Sequence, residues 1–199
     1  MDWPLVIILG NMGDGKTLFA TFYAKMYEQI VLENQLSYKI FANYNIVSPI
    51  FQKVKLKDLV KFPSWLRDGL LIIDEIQVEG GDAYRFLEKD SQYLTAFITQ
   101  LRKRNLQLII TTQRQRFVSI RIRELVNYML RVRKIDLGNG DFLTGVEIIN
   151  MNEFIITNYM ELNLTSVFPF YDTKELITLA EIEEVEEKIK SIKEGDELD

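Results

Sequence analysis

The sequence predicts a three-layer α/β domain whose mostly parallel sheet ends in an antiparallel hairpin. Short apolar runs alternate with helical patterns up to about residue 134, a rhythm typical of a parallel sheet covered on both faces. Two extended segments then flank the turn signal LGNGD at residues 137–141, which predicts the terminal hairpin. With 199 residues, 47% hydrophobic and 27% charged, the chain is long enough to bury one sizeable core.

Each element follows from the local period of apolar residues. Runs that are apolar throughout predict buried strands near residues 4–9, 38–46, 70–74, 106–112 and 126–134. Apolar residues at a helical period predict helices near residues 16–33, 55–67 and 88–104. The C-terminal segment has an apolar stripe on an otherwise acidic helical pattern. We therefore expect one domain over residues 1–176, followed by an acidic amphipathic helix and tail over residues 177–199.

Composition excludes several classes of protein. No apolar run approaches 18 residues, and the N-terminal stretch MDWPLVIILG lacks a basic start and a small-residue cleavage site. We therefore expect no membrane span, no signal peptide and a cytoplasmic location. The chain has no cysteine and no histidine, so disulfides, thiol chemistry and the usual general base are excluded.

The stretch GNMGDGKT, residues 10–17, joins the first predicted strand to the first predicted helix. Its spacing is the phosphate-binding loop pattern, in which glycines let successive backbone N–H groups converge on one anion. The helix start adds the positive end of its dipole and its unpaired N–H groups. A surface turn with a capping threonine predicts neither the preceding strand nor the GKT ending. The predicted phosphate cradle consists of Gly10, Asn11, Met12, Gly13, Asp14, Gly15, Lys16 and Thr17.

Two side chains of this loop have predicted roles of their own. Lys16 is expected to reach the β and γ phosphate oxygens of a bound nucleotide, to contact only phosphate and to be exposed otherwise. The Thr17 hydroxyl is expected to ligate Mg²⁺.

A second motif, LLIIDE at residues 70–75, is a buried strand that ends in two adjacent carboxylates. Ligands of parallel sheets bind at the carboxyl ends of the strands, where these acids are expected to lie. Asp74 fits the acid that holds Mg²⁺, and Glu75 fits the base that orients or deprotonates an attacking water. Such a pair by itself is more often a helix start or a solvated loop, but the upstream phosphate loop favours catalysis.

The stretch LQLIITTQ, residues 106–113, is another buried strand with a polar end. If it neighbours the acid-bearing strand, Thr112 and Gln113 emerge beside Asp74. Gln113 is then expected to bond the γ-phosphate or the attacking water, while an ordinary strand-end amide is the alternative. No Asn-Lys-x-Asp segment that would read guanine occurs in the chain, which disfavours a GTPase.

The ordered set GNMGDGKT, LLIIDE and IITTQ resembles the Walker A, Walker B and following strand of the additional-strand, catalytic-glutamate P-loop ATPases, in particular the FtsK/HerA branch. RIRELVNYMLRVRK and FPFYDTKE resemble segments of zonula occludens toxin-like phage assembly ATPases and of archaeal-virus genome-packaging ATPases. The resemblance extends over about residues 4–176 and implies an Mg²⁺-dependent ATPase. Many toxin-like relatives carry a transmembrane segment after this domain, and its absence here favours the packaging type.

The resemblance also implies partners. It implies a homo-oligomeric ring, with a monomer as the alternative state of the isolated chain. The resemblance implies that the ring translocates double-stranded DNA. It also implies capsid or membrane-associated virion proteins as partners and a location in a host cytoplasm. An ATP-dependent assembly or extrusion factor, or a nucleotide switch that DNA does not drive, is the alternative. A nucleoside or nucleotide kinase is a third possibility, which Glu75 counts against because a kinase must exclude water.

Charge is unevenly distributed along the chain. The net charge is −5, yet residues 102–134 contain ten basic residues and one acidic residue, Glu124. Such segregation suits basic segments that face a polyanion, with a solvated basic face as the alternative. Ring ATPases of this division complete each site with an arginine from the next subunit, and a location near the carboxyl ends of the strands favours Arg104 and Arg116. Arg121 and Arg123 are the predicted DNA contacts.

Overall fold

The computed structural model describes residues 5–55, 59, 63–75, 91–118 and 120–171, and over these residues the chain forms one eight-stranded sheet with flanking helices. The strands are β1 (Leu5–Leu9), β2 (Lys39–Ala42), β3 (Phe51–Lys53), β4 (Gly69–Ile73), β5 (Leu106–Thr112), β6 (Tyr128–Gly138), β7 (Asp141–Asn150) and β8 (Ile155–Leu162). The helices are α1 (Lys16–Glu33), α2 (Ser91–Gln100) and α3 (Ile120–Arg123), with 3₁₀ turns at Gln115–Phe117 and Thr165–Phe170.

The strand order across the sheet is β3-β2-β4-β5-β1-β6-β7-β8. The six strands from β3 to β6 pair in parallel, and the β6–β7 and β7–β8 pairs are antiparallel. β5 therefore lies between the strand that precedes the phosphate loop and the strand that precedes the acid pair. The predicted fold class is confirmed, including the additional strand between these two motifs.

Both faces of the parallel strands are covered. Alternate residues of β1 point to opposite faces, so that Val6 and Ile8 pack with α1 while Leu5 and Ile7 pack on the other side with Phe97 of α2. Burial of each side chain of this size stabilises the fold by about 1.5 to 3 kcal/mol. The strands read as continuous apolar runs because neither face meets water.

The antiparallel ribbon extends beyond the carboxyl edge of the parallel sheet. β6 pairs with β1 only as far as the Leu9 and Arg131 register, and its later residues continue past the end of β1. The predicted hairpin turn is confirmed, because Gly138, Asn139 and Gly140 adopt φ angles of 83°, 56° and 86°. Glycine and asparagine tolerate this left-handed region best. The ribbon thus flanks the loop that follows β1.

Some predicted elements differ from the structure. β2 ends at Ala42 rather than residue 46, and β3 and β8 were not predicted. β8 is exposed along most of its length, so no buried periodicity marks it in the sequence. Of the predicted helix at 55–67, residues 56–58 and 60–62 lie outside the described residues, Leu59 is helical, and residues 63–67 contain a turn and no helix, so the prediction was wrong for that end. The predicted helix at 88–104 ends at Gln100, and its first residues lie outside the described residues, as does the whole segment 177–199.

Candidate active site

The loop between β1 and α1 has the backbone that its glycines predict. Gly13 and Gly15 have φ angles of 81° and 89°, which residues with a Cβ rarely adopt. A Cβ on Gly10 would lie 2.6 Å from the carbonyl oxygen of Val132 on β6. The loop therefore needs glycine at position 10 because the antiparallel ribbon packs directly against it.

The N-terminus of α1 is left open for an anion. Gly15 occupies the N-cap position without a side-chain cap, and the first helical bond runs from the Phe19 N–H to the Gly15 carbonyl, at 2.8 Å. The side chain of Asp14 instead accepts a hydrogen bond from the Asn11 N–H at 2.6 Å. No side chain of the described residues caps this helix start, so its first-turn N–H groups and the positive end of the helix dipole favour phosphate at this position.

Lys16 is buried, contrary to expectation. Only 4% of the residue is exposed, and its ammonium donates a hydrogen bond of 2.9 Å to the carbonyl oxygen of Asn11. The prediction that this side chain contacts only phosphate was wrong, because the loop folds back over the ammonium and supplies an acceptor of its own. An ammonium has three N–H donors, so a phosphate could bind Lys16 while the Asn11 carbonyl keeps its hydrogen bond.

Thr17 and Asp74 are in contact, although β5 lies between the two strands that precede them. The Thr17 hydroxyl donates a hydrogen bond of 2.8 Å to one carboxylate oxygen of Asp74, and the Thr111 hydroxyl donates one of 2.5 Å to the other oxygen. A hydroxyl and a carboxylate are hard oxygen donors of the kind that Mg²⁺ prefers. The two predicted metal ligands are adjacent, so these residues fit the ion. The described residues contain no cluster of three acidic side chains, and Mg²⁺ usually takes its remaining ligands from water and phosphate.

The carboxylate of Asp74 is enclosed even though the residue as a whole is only half-buried. Burial raises the pKa of this carboxyl group, and the hydrogen bonds from Thr111 and Thr17 partly oppose the increase. Desolvation of the charge therefore destabilises the folded protein in the absence of a bound cation.

This desolvation gives a stability prediction for the isolated protein. Asp74→Asn should raise stability by about 1 kcal/mol, because a neutral amide of the same shape avoids the buried charge. The melting temperature should rise by about 2 to 4 °C in a thermal unfolding experiment without nucleotide or Mg²⁺.

The matched control is Asp68→Asn. Hydrogen bonds from Asn105 and Arg67 lower the pKa of the exposed Asp68 carboxyl group, so its charge is favourable in the fold. This substitution should give no increase in melting temperature. A fall in stability for Asp74→Asn would show that the carboxylate is better solvated than its surroundings indicate.

Glu75 follows Asp74 in a left-handed conformation, with a φ of 46°. This conformation costs a residue with a side chain about 1 to 2 kcal/mol. Its backbone N–H donates a hydrogen bond of 2.8 Å to the Thr111 hydroxyl, and a bond of this kind contributes about 1 kcal/mol. The strained position is thus held by the neighbouring strand, at the carboxyl edge where the phosphate loop also lies.

Two residues at this edge were not identified from sequence. Thr111, which has no exposed surface, donates to the Asp74 carboxylate and accepts from the Glu75 backbone N–H. The prediction that Thr112 emerges beside Asp74 was wrong, because the Thr112 hydroxyl donates to the carbonyl oxygen of Arg114 at 3.3 Å. The side chain of Asn43, just after β2, forms two hydrogen bonds with the backbone of Asp74. The register of β4 and β5 places position 111 beside position 74, and no signal in the sequence gives that register. Gln113 follows β5 at the same edge and is half-buried.

The comparisons with known proteins come from sequence and from fold. Residues 5–174 match the family described as Zonular occludens toxin (Zot). The chain belongs to the Zot family. A comparison with curated proteins gave no match.

Solved structures similar to this Zot-family chain share its fold at low identity. The N-terminal domain of zonular occludens toxin from Neisseria meningitidis has 15% identity and a TM-score of 0.58, covering 85% of this chain and 99% of that one. The DNA-packaging ATPase B204 from Sulfolobus turreted icosahedral virus has 15% identity and a TM-score of 0.55, covering 80% and 98%. A KaiC-like protein from Pyrococcus horikoshii OT3 has 14% identity and a TM-score of 0.52, covering 80% and 85%.

Arg104 does not lie where the sequence argument placed it. It precedes β5, and its carbonyl oxygen accepts a hydrogen bond from the Asp68 N–H at the amino edge of the sheet. Its guanidinium donates hydrogen bonds to the carbonyl oxygens of Pro63, at 2.8 Å, and Leu66, at 3.2 Å. The seven residues of β5 separate it from the phosphate loop by roughly 20 Å. The expected location at the carboxyl edge is therefore wrong for Arg104.

The other predicted arginines of this Zot-family chain lie in the connection from β5 to β6. Arg116 is exposed in the 3₁₀ turn just past the carboxyl edge, 5.5 Å above the ring of Phe117. Arg121 is exposed on α3, whereas Arg123 is half-buried and its Nε atom is enclosed with no hydrogen-bond partner among the described residues. The basic segment is thus spread over two edges of the sheet and does not form one patch. None of the helices in the described part of the chain combines the length and apolar composition of a membrane crossing.

Proposed function

We propose that this chain is an Mg²⁺-dependent ATPase whose site lies at the carboxyl edge of the sheet. The observation that carries the proposal is the 2.8 Å hydrogen bond between Thr17 and Asp74, which brings the phosphate loop and the acid pair to one point. The uncapped start of α1 and the ammonium of Lys16 lie on the same loop. The N–H groups and the ammonium suit an anion, and the hydroxyl and the carboxylate suit a divalent cation, so the site fits a phosphate with a bound divalent cation.

Each residue has a part in the proposed reaction. The loop N–H groups and Lys16 would bind the phosphates of ATP, and Thr17 and Asp74 would hold Mg²⁺, which would neutralise phosphate charge. Glu75 orients the attacking water and takes its proton, because a carboxylate beside the γ-phosphate is the available general base. Gln113 directly follows β5, and we expect its amide to contact the water or the γ-phosphate.

We further propose that hydrolysis moves double-stranded DNA during packaging of a viral genome in a host cytoplasm. The similar fold of B204, which is a DNA-packaging ATPase, supports this proposal. Exposed Arg121 offers a contact for a phosphate backbone. Membership of the Zot family supports an alternative, in which ATP drives virion assembly or extrusion without DNA.

Turnover with and without duplex DNA distinguishes the two roles. A motor should hydrolyse ATP faster when DNA is present at low salt. Arg121→Ala and Arg123→Ala should spare basal turnover, weaken DNA binding and reduce the salt dependence of binding by about one unit of slope for each lost phosphate contact. The control is Arg67→Ala, because Arg67 is an exposed arginine at the amino edge of the sheet. DNA-independent turnover would favour the assembly role.

We propose that Arg116 completes the site of a neighbouring subunit in a ring. Its exposure and its place beyond the carboxyl edge support this proposal. Arg116→Ala and Lys16→Ala chains, each inactive alone, should regain part of the ATPase activity when mixed, because some interfaces then pair an intact loop with an intact arginine. Mixed chains that stay inactive, or a monomer with full activity, would contradict this arrangement.

A further inference from the structure

Asn43 extends the hydrogen bonding between β2 and β4 beyond the ends of both strands. The backbone pairing of the two strands ends at the Ala42 and Ile72 register. Past that point the Asn43 side chain accepts a hydrogen bond from the Asp74 N–H at 2.8 Å and donates one to the Asp74 carbonyl oxygen at 3.0 Å. One amide therefore binds both backbone groups of the residue that carries the first carboxylate.

The peptide unit between the two carboxylates is held from both sides. Its oxygen belongs to Asp74 and accepts from Asn43, and its N–H belongs to Glu75 and donates to Thr111. The orientation of this peptide, together with the left-handed φ of Glu75, determines the direction in which the Glu75 side chain leaves the backbone. It also helps to aim the Asp74 carboxylate at Thr17. Both acids therefore depend on the same amide.

Apolar contacts on either side of Asn43 also anchor this part of the chain. Ala42 and Tyr44, on either side of Asn43, are buried in the core that faces α1. Burial of these two residues stabilises the backbone here in addition to the amide bonds. The hydrogen bonds of Asn43 with Asp74 instead act on the residue that carries the acid.

We propose that Asn43 is a positioning residue for hydrolysis, which fixes the Asp74–Glu75 peptide so that the first acid faces the metal site and the second faces the attacking water. This inference rests on the proposed ATPase function. The amide touches neither nucleotide nor water in this role, and it acts through the two carboxylates.

Asn43→Leu tests the proposal, because leucine has nearly the same shape and forms neither hydrogen bond. The turnover number should fall by about 10 to 100-fold, the scale for loss of a group that orients a metal ligand, with unchanged ATP affinity at saturating Mg²⁺. The Mg²⁺ concentration required for ATP to raise the melting temperature should increase. The control is Asn34→Leu, which removes a hydrogen bond of 2.8 Å to the Ile30 carbonyl at the far end of α1 and should change neither quantity.

A second background separates positioning from general destabilisation. Combined with Glu75→Gln, Asn43→Leu should reduce turnover by a smaller factor than in the wild type, because the oriented base is already absent. An equal factor in both backgrounds, or wild-type turnover and Mg²⁺ requirement in Asn43→Leu, would overturn the proposal. If the wild type binds Mg²⁺-ATP without hydrolysing it, the proposed function fails, and the Mg²⁺ requirement alone decides the role of Asn43.

Discussion

Glu75→Gln is expected to bind Mg²⁺-ATP as the wild type does and to lose hydrolysis by roughly 10² to 10⁴-fold, the scale of removing a general base. The backbone of Glu75 is held through its N–H by Thr111, and this bond does not involve the side chain that changes. Metal coordination is left to Thr17 and Asp74. Equilibrium binding of ATP in the presence of Mg²⁺, followed by single-turnover hydrolysis, separates the two effects.

The control for Glu75→Gln is Glu147→Gln. Glu147 lies on β7 and pairs with Arg131 at 3.1 Å, so its substitution removes a carboxylate from the ribbon and leaves the site intact. It should retain wild-type turnover. A Glu75→Gln protein that no longer binds nucleotide would show that Glu75, and not only Asp74, contributes to the metal site.

Lys16→Ala is expected to lower turnover by at least roughly 10² to 10³-fold, the loss seen when one preorganised donor to transition-state charge is removed. The substitution also removes the hydrogen bond to the Asn11 carbonyl oxygen. Asn11 is exposed, so water can take the place of the ammonium, and the fold should be retained. Steady-state ATP turnover and a far-UV spectrum of the same sample measure the two consequences.

The control for Lys16→Ala is Lys25→Ala, on the same helix. Lys25 forms an ion pair of 2.6 Å with Glu28, and its loss should change stability slightly without changing turnover. Wild-type turnover in Lys16→Ala would remove the phosphate cradle from the proposed site. Equal losses in the two variants would indicate a defect of α1 as a whole.

Lys16 and Asp74 already have hydrogen-bond partners inside the protein. Without phosphate, the loop satisfies the ammonium with its own Asn11 carbonyl, and the Thr17 hydroxyl satisfies Asp74. Both hydrogen bonds use groups that the proposed ligand would also use. At the proposed site, Mg²⁺-ATP would add phosphate oxygens to the partners of the ammonium and bring the metal to Thr17 and Asp74, and the loop backbone shaped by Gly13 and Gly15 would already be in place.

Local sequence alone determined the motifs and the class of fold. The glycines of the phosphate loop, the start of α1 at Lys16, the buried strands and the hairpin at Gly138–Gly140 were all predictable. Each depends on interactions among residues close in the chain, such as backbone conformations open to glycine or the period of apolar side chains. The order of the motifs, compared with known ATPases, also predicted that β5 lies between β4 and β1.

Tertiary structure decided which residues meet at the site. The register of β5 on β4 places Thr111 beside Asp74, and the end of β2 places Asn43 against the same backbone. Arg104 precedes β5, whereas the site lies after β5, so the full length of this strand separates Arg104 from the site. Contacts of this kind join residues 31 to 37 positions apart, and a one-residue shift in strand pairing would replace every one of them. Local propensity carries no information about that register, because it is set by the packing of the whole sheet.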